Sequence, residues 1–314
     1  MPAVPKGRPM TSTASTPAHA TDEPTPTDGP TSTKGTPSTV SGASADGMSL
    51  AEALRVVPAG DREDGWVGTV HEGWDIFGIP HGGYLAALAA SAGLTATGAS
   101  DVLTITTHYL RKAVAGPVDV TVRRLGGGRR LSSHLVEASQ EGRATMSAVM
   151  SLGERTDLSG PEWQRRVAPD LDGRLGGRAG TPDEPFPTPS VPQRLGMRLD
   201  RDTHAFAQGR TTDHAVVRAL VEPLVPTPTD QLLALVACDA TPPAVWNALG
   251  PTGWVPTVEL TAHVRARPAP GPLRVVATTA SVGGGLLEED AEVYDDTGQL
   301  VLLSRQLARW SESG

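Results

Sequence analysis

The sequence predicts an α+β fold in which two tandem units each curl an antiparallel sheet around one apolar helix. Three observations predict it. The stretch GGYLAALAASAGL, from Gly82 to Leu94, carries no charge and is apolar on every side, and a helix that is apolar all round is a buried one. Strand-like segments divided by glycine and proline turns follow it. The pattern then recurs at a constant offset of 155 residues: Thr106-Thr107-His108 matches Thr261-Ala262-His263, Gly116-Pro117 matches Gly271-Pro272, and Glu137 matches Glu292. A repeat of this length is a duplicated unit rather than a solenoid.

The elements divide into four stretches. Residues 1–47 form a tail. From Thr11 to Thr39 it holds no Leu, Ile, Val or aromatic residue, too little apolar surface to offset chain entropy, and it reads as disordered. It lacks the basic start and apolar core of a secretory signal. Residues 48–157 form the first unit. LAEALRVVPAG and DGWVGTVHEGW carry strand-like alternation, the apolar helix follows, and DVLTITTHYLRKAVAGPVDVTVRRLG, RRLSSHLVEASQEG and RATMSAVMSLG read as strands. Ala86, Ala87, Ala89, Ala90 and Ala92 keep the helix thin, so that a sheet can approach it closely. Residues 158–192 turn to Pro, Gly, Asp and Arg and read as a surface linker. Residues 193–314 repeat the pattern: LGMRLDRDTHAF and DHAVVRALVEP as strands, PTPTDQLLALVACDATPPAVWNAL as a helix, then three strand segments ending in QLVLLSRQLARW.

Composition narrows the function classes. A net charge of −8 argues against general nucleic-acid binding, and an anionic ligand would need a local cluster of cations against that field. No run approaches the roughly 18 consecutive apolar residues that span a membrane. Cys238 is the only cysteine, which excludes an internal disulfide and any multi-cysteine metal site. Both features point to the cytoplasm. There is no G-x-S-x-G elbow of an α/β-hydrolase, and no phosphate-binding or dinucleotide-binding glycine fingerprint in strand–helix context. No H-E-x-x-H or clustered metal ligands occur, so neither metal nor cofactor is expected.

Three stretches resemble the acyl-CoA thioesterase II family and its thioesterase-like double-hotdog relatives. FGIPHGGYLAALAASAG is similar to the glycine pair that opens the family's first hotdog helix. THYLRKAVAGPVDVTVRRLGGGRRLSSHLVEASQEG is similar to its strand, turn and hairpins. ACDAT, PTVEL and LLSRQLAR look like the segments carrying the family's Asp, Thr and Gln. The resemblance covers about Met48 to Trp310. It implies a double hotdog that hydrolyses a fatty acyl-CoA thioester with a water oriented by Asp239, Thr257 and Gln306, with acyl-CoA as the partner. A carboxylate can take the water's proton while hydroxyl and amide groups hold it in line with the carbonyl. Two departures stand out. Where the family has Asp-His-Ser or Asp-His-Thr this chain has Glu259-Leu260-Thr261, which makes Thr261 a rival for the hydroxyl role. The first-unit turn reads Arg111-Lys112-Ala113 in place of Arg-Pro-Gly.

The same resemblance suggests how the halves meet. Gly82, Gly83 and Tyr84 open the first helix and are expected to face Asp239, with helix N–H groups available to a carbonyl oxygen or phosphate; His81 reads as a simple turn cap or as a group near the acyl-CoA entrance, and all four are candidates to bind the substrate or its oxyanion. Arg111, Lys112, Arg265 and Arg267 lie at matching places after the long strands, where they can meet CoA phosphates. His108 and His263, which repeat, read as structural, and Cys238 as a small buried apolar residue. Assembly of two chains is common among such proteins, so a homo-oligomer is among the expectations. Two rival functions are a double-hotdog enoyl-CoA hydratase, which uses an Asp and a His a few residues apart, and a non-catalytic acyl-CoA-binding protein. No His closely follows Asp239.

Overall fold

The computed structural model describes residues 47–60, 62–155, 161–184, 187–251 and 253–311. The tail expected to be disordered lies outside them up to residue 46. The described residues open with α1 (Leu50–Ala53), where alternation suggested a strand. A capping box decides this: the Ser49 hydroxyl accepts from the Glu52 amide while the Glu52 carboxylate accepts from the Ser49 amide, at 3.3 and 2.8 Å. Short strands β1 (Val57–Pro58) and β2 (Gly65–Val70) follow, then a small hairpin, β3 (Asp75–Ile76) and β4 (Ile79–Pro80). Helix α2 (Gly82–Thr97) comes next and ends on Gly98 in the left-handed region. Four long strands complete this half: β5 (Asp101–Tyr109), β6 (Gly116–Gly127), β7 (Leu131–Gln140) and β8 (Arg143–Gly153).

The second half starts inside the stretch read as a linker. Leu175–Arg178 form a strand, β9, and α3 (Ser190–Arg194) precedes β10 (Arg198–Asp200), with which β9 pairs. Its sequence, LGGR, has too few side chains to show alternation, which is why composition alone read it as a spacer. Then come β11 (Val216–Val221), α4 (Gln231–Ala237) and α5 (Trp246–Leu249). The sequence suggested one helix across this region. Pro242 and Pro243 break it, since proline lacks the amide that a helix interior requires. The strands β12 (Thr257–Val264), β13 (Leu273–Thr278), β14 (Val282–Gly283), β15 (Leu286–Tyr294) and β16 (Leu300–Arg309) close the fold.

The large sheet is antiparallel, in the order β1-β2-β6-β7-β8-β5-β12-β16-β15-β13-β11-β10-β9, with β14 on β15. One sheet therefore runs through both halves, joined where β5 pairs with β12. Helix α2 packs on β2, β5, β6, β7 and β8, helix α4 packs on β13 and β16, and the two helices pack on each other. Their alanines put helix axes and strands close together, and Ala86, Ala87, Ala89, Ala90 and Ala92 are fully buried. His108 and His263 sit on the outer face of the junction strands, both exposed. No helix among the described residues is long and apolar enough to cross a membrane.

Candidate active site

The glycine pair that opens α2 exists because the end of α4 lies on top of it. A Cβ on Gly83 would come within 2.7 Å of the Leu235 carbonyl oxygen and 3.0 Å of the Asp239 Cβ. One on Gly82 would come within 2.8 Å of Asp239 Oδ2. At Gly83, where the neighbour is backbone, only hydrogen fits; at Gly82 the Asp239 carboxylate would have to shift. The contact places Asp239, in the turn after α4, at the N-terminus of α2. Asp239 Oδ2 accepts the Gly83 amide at 2.7 Å, so an amide that was expected to serve the substrate is committed to the protein's own carboxylate.

His81 completes this seam. It is the N-cap of α2: its Nδ1 accepts the Tyr84 amide at 3.1 Å. Nδ1 is thus unprotonated and the proton sits on Nε2, which donates to the Asp239 carbonyl at 2.9 Å and lies 3.3 Å from Asp239 Oδ2. His81 is thus the turn cap, and the cap is also the residue that touches Asp239. Tyr84 does not reach the site. It is buried in the core, stacked on Trp74 at 5.4 Å, its hydroxyl within hydrogen-bond distance of the Ala53 and Thr69 carbonyls. A helix turns 100° per residue, and that rotation carries its ring away from Asp239. Tyr109, at the end of β5, takes the place instead and donates to the Gly82 carbonyl at 2.8 Å.

The other two expected residues come from the sheet. Gln306 on β16 pairs with Leu260 of β12 on one side and Glu289 of β15 on the other, and its side chain bonds the Asp239 carboxyl. Thr257 reaches the same inner face only because of a bulge. The register shifts between Thr257 and Glu259, so that Thr257 pairs with buried Ala308 while Glu259 pairs with exposed Leu307. The Thr257 hydroxyl then donates to Gln306 Oε1 at 2.6 Å. Thr261 lies on the opposite face, opposite Arg305, and its hydroxyl meets that of Thr106 at 2.9 Å. Thr257 thus lines the cavity beside Gln306 and Thr261 does not.

These groups line one cavity of about 1000 Å³. Its walls include Leu85, Met197, Leu199, Trp246 and Leu287. Exposed residues mark its mouth: Phe77, Leu110, Trp254, and the cations Arg111, Lys112 and Arg309. Arg265 and Arg267 stand outside this lining. Arg267 instead holds buried Asp101 with two 2.8 Å bonds, beside Arg155 at 3.6 Å. That network ties the start of β5 to the connection that follows β12, and a guanidinium so paired is spent on structure.

Burial dominates the electrostatics. It pushes the Asp239 carboxyl above the ordinary carboxylate range, while His81, the Gly83 amide and Gln306 pull the other way. Burial also raises the Tyr109 hydroxyl well above its usual value. The Cys238 thiol is pushed up to about 12 by burial and by Asp239, which removes it as a nucleophile. Glu289, 5% exposed and also in the cavity lining, is raised to about 7 by burial first and by Asp239 next. Tyr109, Glu289 and Arg309 were not singled out by sequence reasoning. For two of them the signal was present in strand alternation: Tyr109 shares parity with Ile105 and Thr107, and Glu289 with Leu287, Ala291 and Val293.

The comparisons with known proteins agree with this architecture. The acyl-CoA thioesterase N-terminal domain matches residues 70–153, and the acyl-CoA thioesterase C-terminal domain matches residues 158–309. An uncharacterized protein of Mycobacterium tuberculosis is 32% identical over 271 residues, spanning 77% of this chain and 89% of its own. A solved structure from Thermobifida fusca described as a thioesterase II superposes with a TM-score of 0.73 at 27% identity, covering 84% of this chain and 97% of that one. A hotdog-fold protein of unknown function from Alicyclobacillus acidocaldarius gives 0.71 at 20% identity, covering 84% and 98%. Two matched domains in tandem, on one sheet with a helix packed in each half, show that the chain belongs to the acyl-CoA thioesterase family and has its double hotdog fold.

Proposed function

We propose that this protein hydrolyses an acyl-CoA thioester to the free acid and CoA by direct attack of water. The observation that carries the reading is the convergence of Asp239, Thr257 and Gln306, from three separate elements, on one hydrogen-bonded cluster in the wall of a largely apolar cavity. Water held between the Asp239 carboxylate and the Thr257 oxygen has one hydrogen toward each and its lone pair toward the thioester carbon. Asp239, made more basic by burial, takes the proton as the C–O bond forms. The tetrahedral intermediate collapses, the C–S bond breaks, and the CoA thiolate leaves and is protonated. A thioester is activated enough to need no covalent nucleophile. The apolar walls suit an acyl chain, and Arg111, Lys112 and Arg309 at the mouth suit the CoA phosphates.

A second reading has one observation in its favour. The fold brings His81 to 3.3 Å from Asp239, supplying from the other half the histidine that a hydratase needs and the local sequence lacks. Both ring nitrogens of His81 are engaged with backbone, however, and the residue is 2% exposed, so it has no free nitrogen for a substrate proton. The test is CoA release from acyl-CoAs of graded chain length, with wild type and Asp239→Asn. Turnover that falls by roughly a hundredfold or more in the variant supports hydrolysis. Conversion of 2-enoyl-CoA to 3-hydroxyacyl-CoA without CoA release would favour the hydratase. A melting temperature raised by acyl-CoA without either reaction would make the protein a binding module.

A further inference from the structure

We infer that Glu289 is a positioning residue of this site: it fixes the direction of the Thr257–Gln306 hydrogen bond and anchors the turn that carries Asp239. The inference rests on the reading of Asp239, Thr257 and Gln306 as the water-activating groups. Glu289 lies directly across from Gln306 in the β15–β16 register, so both side chains leave the sheet on the same face. Its Oε1 accepts Gln306 Nε2 at 3.3 Å. Its Oε2 accepts the Ala244 amide at 2.6 Å and the Thr279 hydroxyl at 3.5 Å. Ala244 ends the Asp239–Pro243 turn, so one carboxylate holds both the loop and the strand from which the site is assembled.

A carboxylate can only accept hydrogen bonds. With the carboxylates of Glu289 and Asp239 both beside it, the Gln306 amide presents its NH2 to them and turns its oxygen to Thr257. The Thr257 hydroxyl must then donate to Gln306, which leaves its own lone pairs to accept a hydrogen from water. The chain of donation runs water, Thr257, Gln306, Glu289. A water whose hydrogens go to Thr257 and Asp239 is left with its lone pair as the nucleophile. Apolar packing gives no reason for a carboxylate here; its bonds to Gln306, Ala244 and Thr279 do. Leu287, Ala291 and Val293, its neighbours of the same parity, are buried apolar side chains, and an apolar residue at 289 would avoid the cost of burying a carboxylate.

The titratable group that acts on Glu289 directly is Asp239, backed by His81 on α2, Tyr109 on β5 and Cys238 on α4. On its own strand Glu288 and Asp290 point to the other face, as does Glu259 on β12. When Glu289 carries a proton it can donate to Gln306, and Asp239 alone is left to hold the amide's direction.

The experiment compares wild type with Glu289→Gln and Glu289→Leu in CoA release across pH 5.5–9, and follows the Gln306 side-chain amide by NMR. The expected result for Glu289→Gln is a kcat lower by about tenfold or more, with KM for acyl-CoA within about twofold. Its rate profile also loses an ascending limb centred near pH 7 that wild type shows. Glu289→Leu, which leaves the Ala244 amide and the Gln306 NH2 without their acceptor, shows the same loss of kcat together with a lower melting temperature. The Gln306 amide resonances shift with pH in wild type and stay fixed in Glu289→Gln. Retention of kcat and of the limb in Glu289→Gln would overturn the inference, as would a Gln306 amide that titrates identically in both. If wild type releases no CoA, the hydrolase reading fails; the amide resonances still decide whether Glu289 orients Gln306.

Discussion

Thr106 and Thr261 share a hydrogen bond of 2.9 Å across the β5–β12 junction, although 155 residues separate them. They are also equivalent positions in the two halves of the duplicated sequence. In an antiparallel pair, only the residues at the local two-fold centre face their own counterparts, so this contact marks the axis that relates the halves. His108 opposite Glu259 and Thr104 opposite His263 fall on either side of it. The outer face thus keeps the symmetry of the duplication. The inner face has lost it: α2 opens with Gly82-Gly83, while α4 ends in the turn that carries Asp239.

Gly83→Ala tests this asymmetric seam. The added methyl would meet the Leu235 carbonyl at 2.7 Å and the Asp239 Cβ at 3.0 Å. The backbone of one helix has to move, at a cost of roughly 1–3 kcal/mol. The expected outcome is a lower melting temperature together with loss of most CoA release. A variant that melts lower yet keeps its kcat would show that the site tolerates movement of Asp239.

The bulge in β12 makes opposite predictions for two threonines. Thr257→Val removes the donor to Gln306 and the partner for water, and kcat should fall by about tenfold to a hundredfold. Thr261→Val acts on the far face, where only the bonds to Thr106 and Glu259 are lost. It should leave kcat nearly unchanged and cost about 1 kcal/mol of stability. Paired denaturation and steady-state measurements on both variants check this, and equal kinetic losses would contradict the placement.

The mouth cations are predicted to act on the CoA portion alone. Arg111→Ala, Lys112→Ala and Arg309→Ala should raise KM for acyl-CoA, in combination by about tenfold or more, an effect that weakens at high salt. Turnover of a truncated acyl thioester lacking the nucleotide should be unaffected. Arg265→Ala, outside the cavity, should change neither.

Two buried carboxylates should bend the pH–stability curve in opposite directions. Asp101 is held at about 2, below its ordinary 3.8; burial alone would raise it, but bonds from Arg267, the Arg155 amide and Ser100 outweigh that. Its contribution is present above pH ~4 and disappears as pH falls toward 2. Glu289 is raised to about 7 from 4.5, so its contribution is present below pH ~4.5 and fades as pH rises through 7. Asp101→Asn should therefore flatten the acid limb of a melting-temperature profile, and Glu289→Gln the limb between pH ~4.5 and ~7. Removing Asp101 should also cost roughly 3 kcal/mol near neutral pH, because Arg155 and Arg267 lose their partner.

Much of this protein was determined by the sequence alone. Alternation, turn residues and the 155-residue offset foretold two sheet-and-helix units, and an uncharged alanine-rich run foretold a buried helix, because burial and strand periodicity are written in adjacent residues. The resemblance named Asp239, Thr257 and Gln306, but it left Thr261 as a rival. Tertiary structure decided what depends on contacts across the chain. A bulge turned Thr257 inward, a near approach of two helices explained the glycine pair, and rotation along α2 exchanged Tyr84 for Tyr109. Pairing with Asp101 drew Arg267 away from the cavity. Folding also put Glu289 beside Gln306 and His81 beside Asp239, residues that lie on separate elements. No local pattern could show these, since each is a relation between distant backbones and only packing sets the distance.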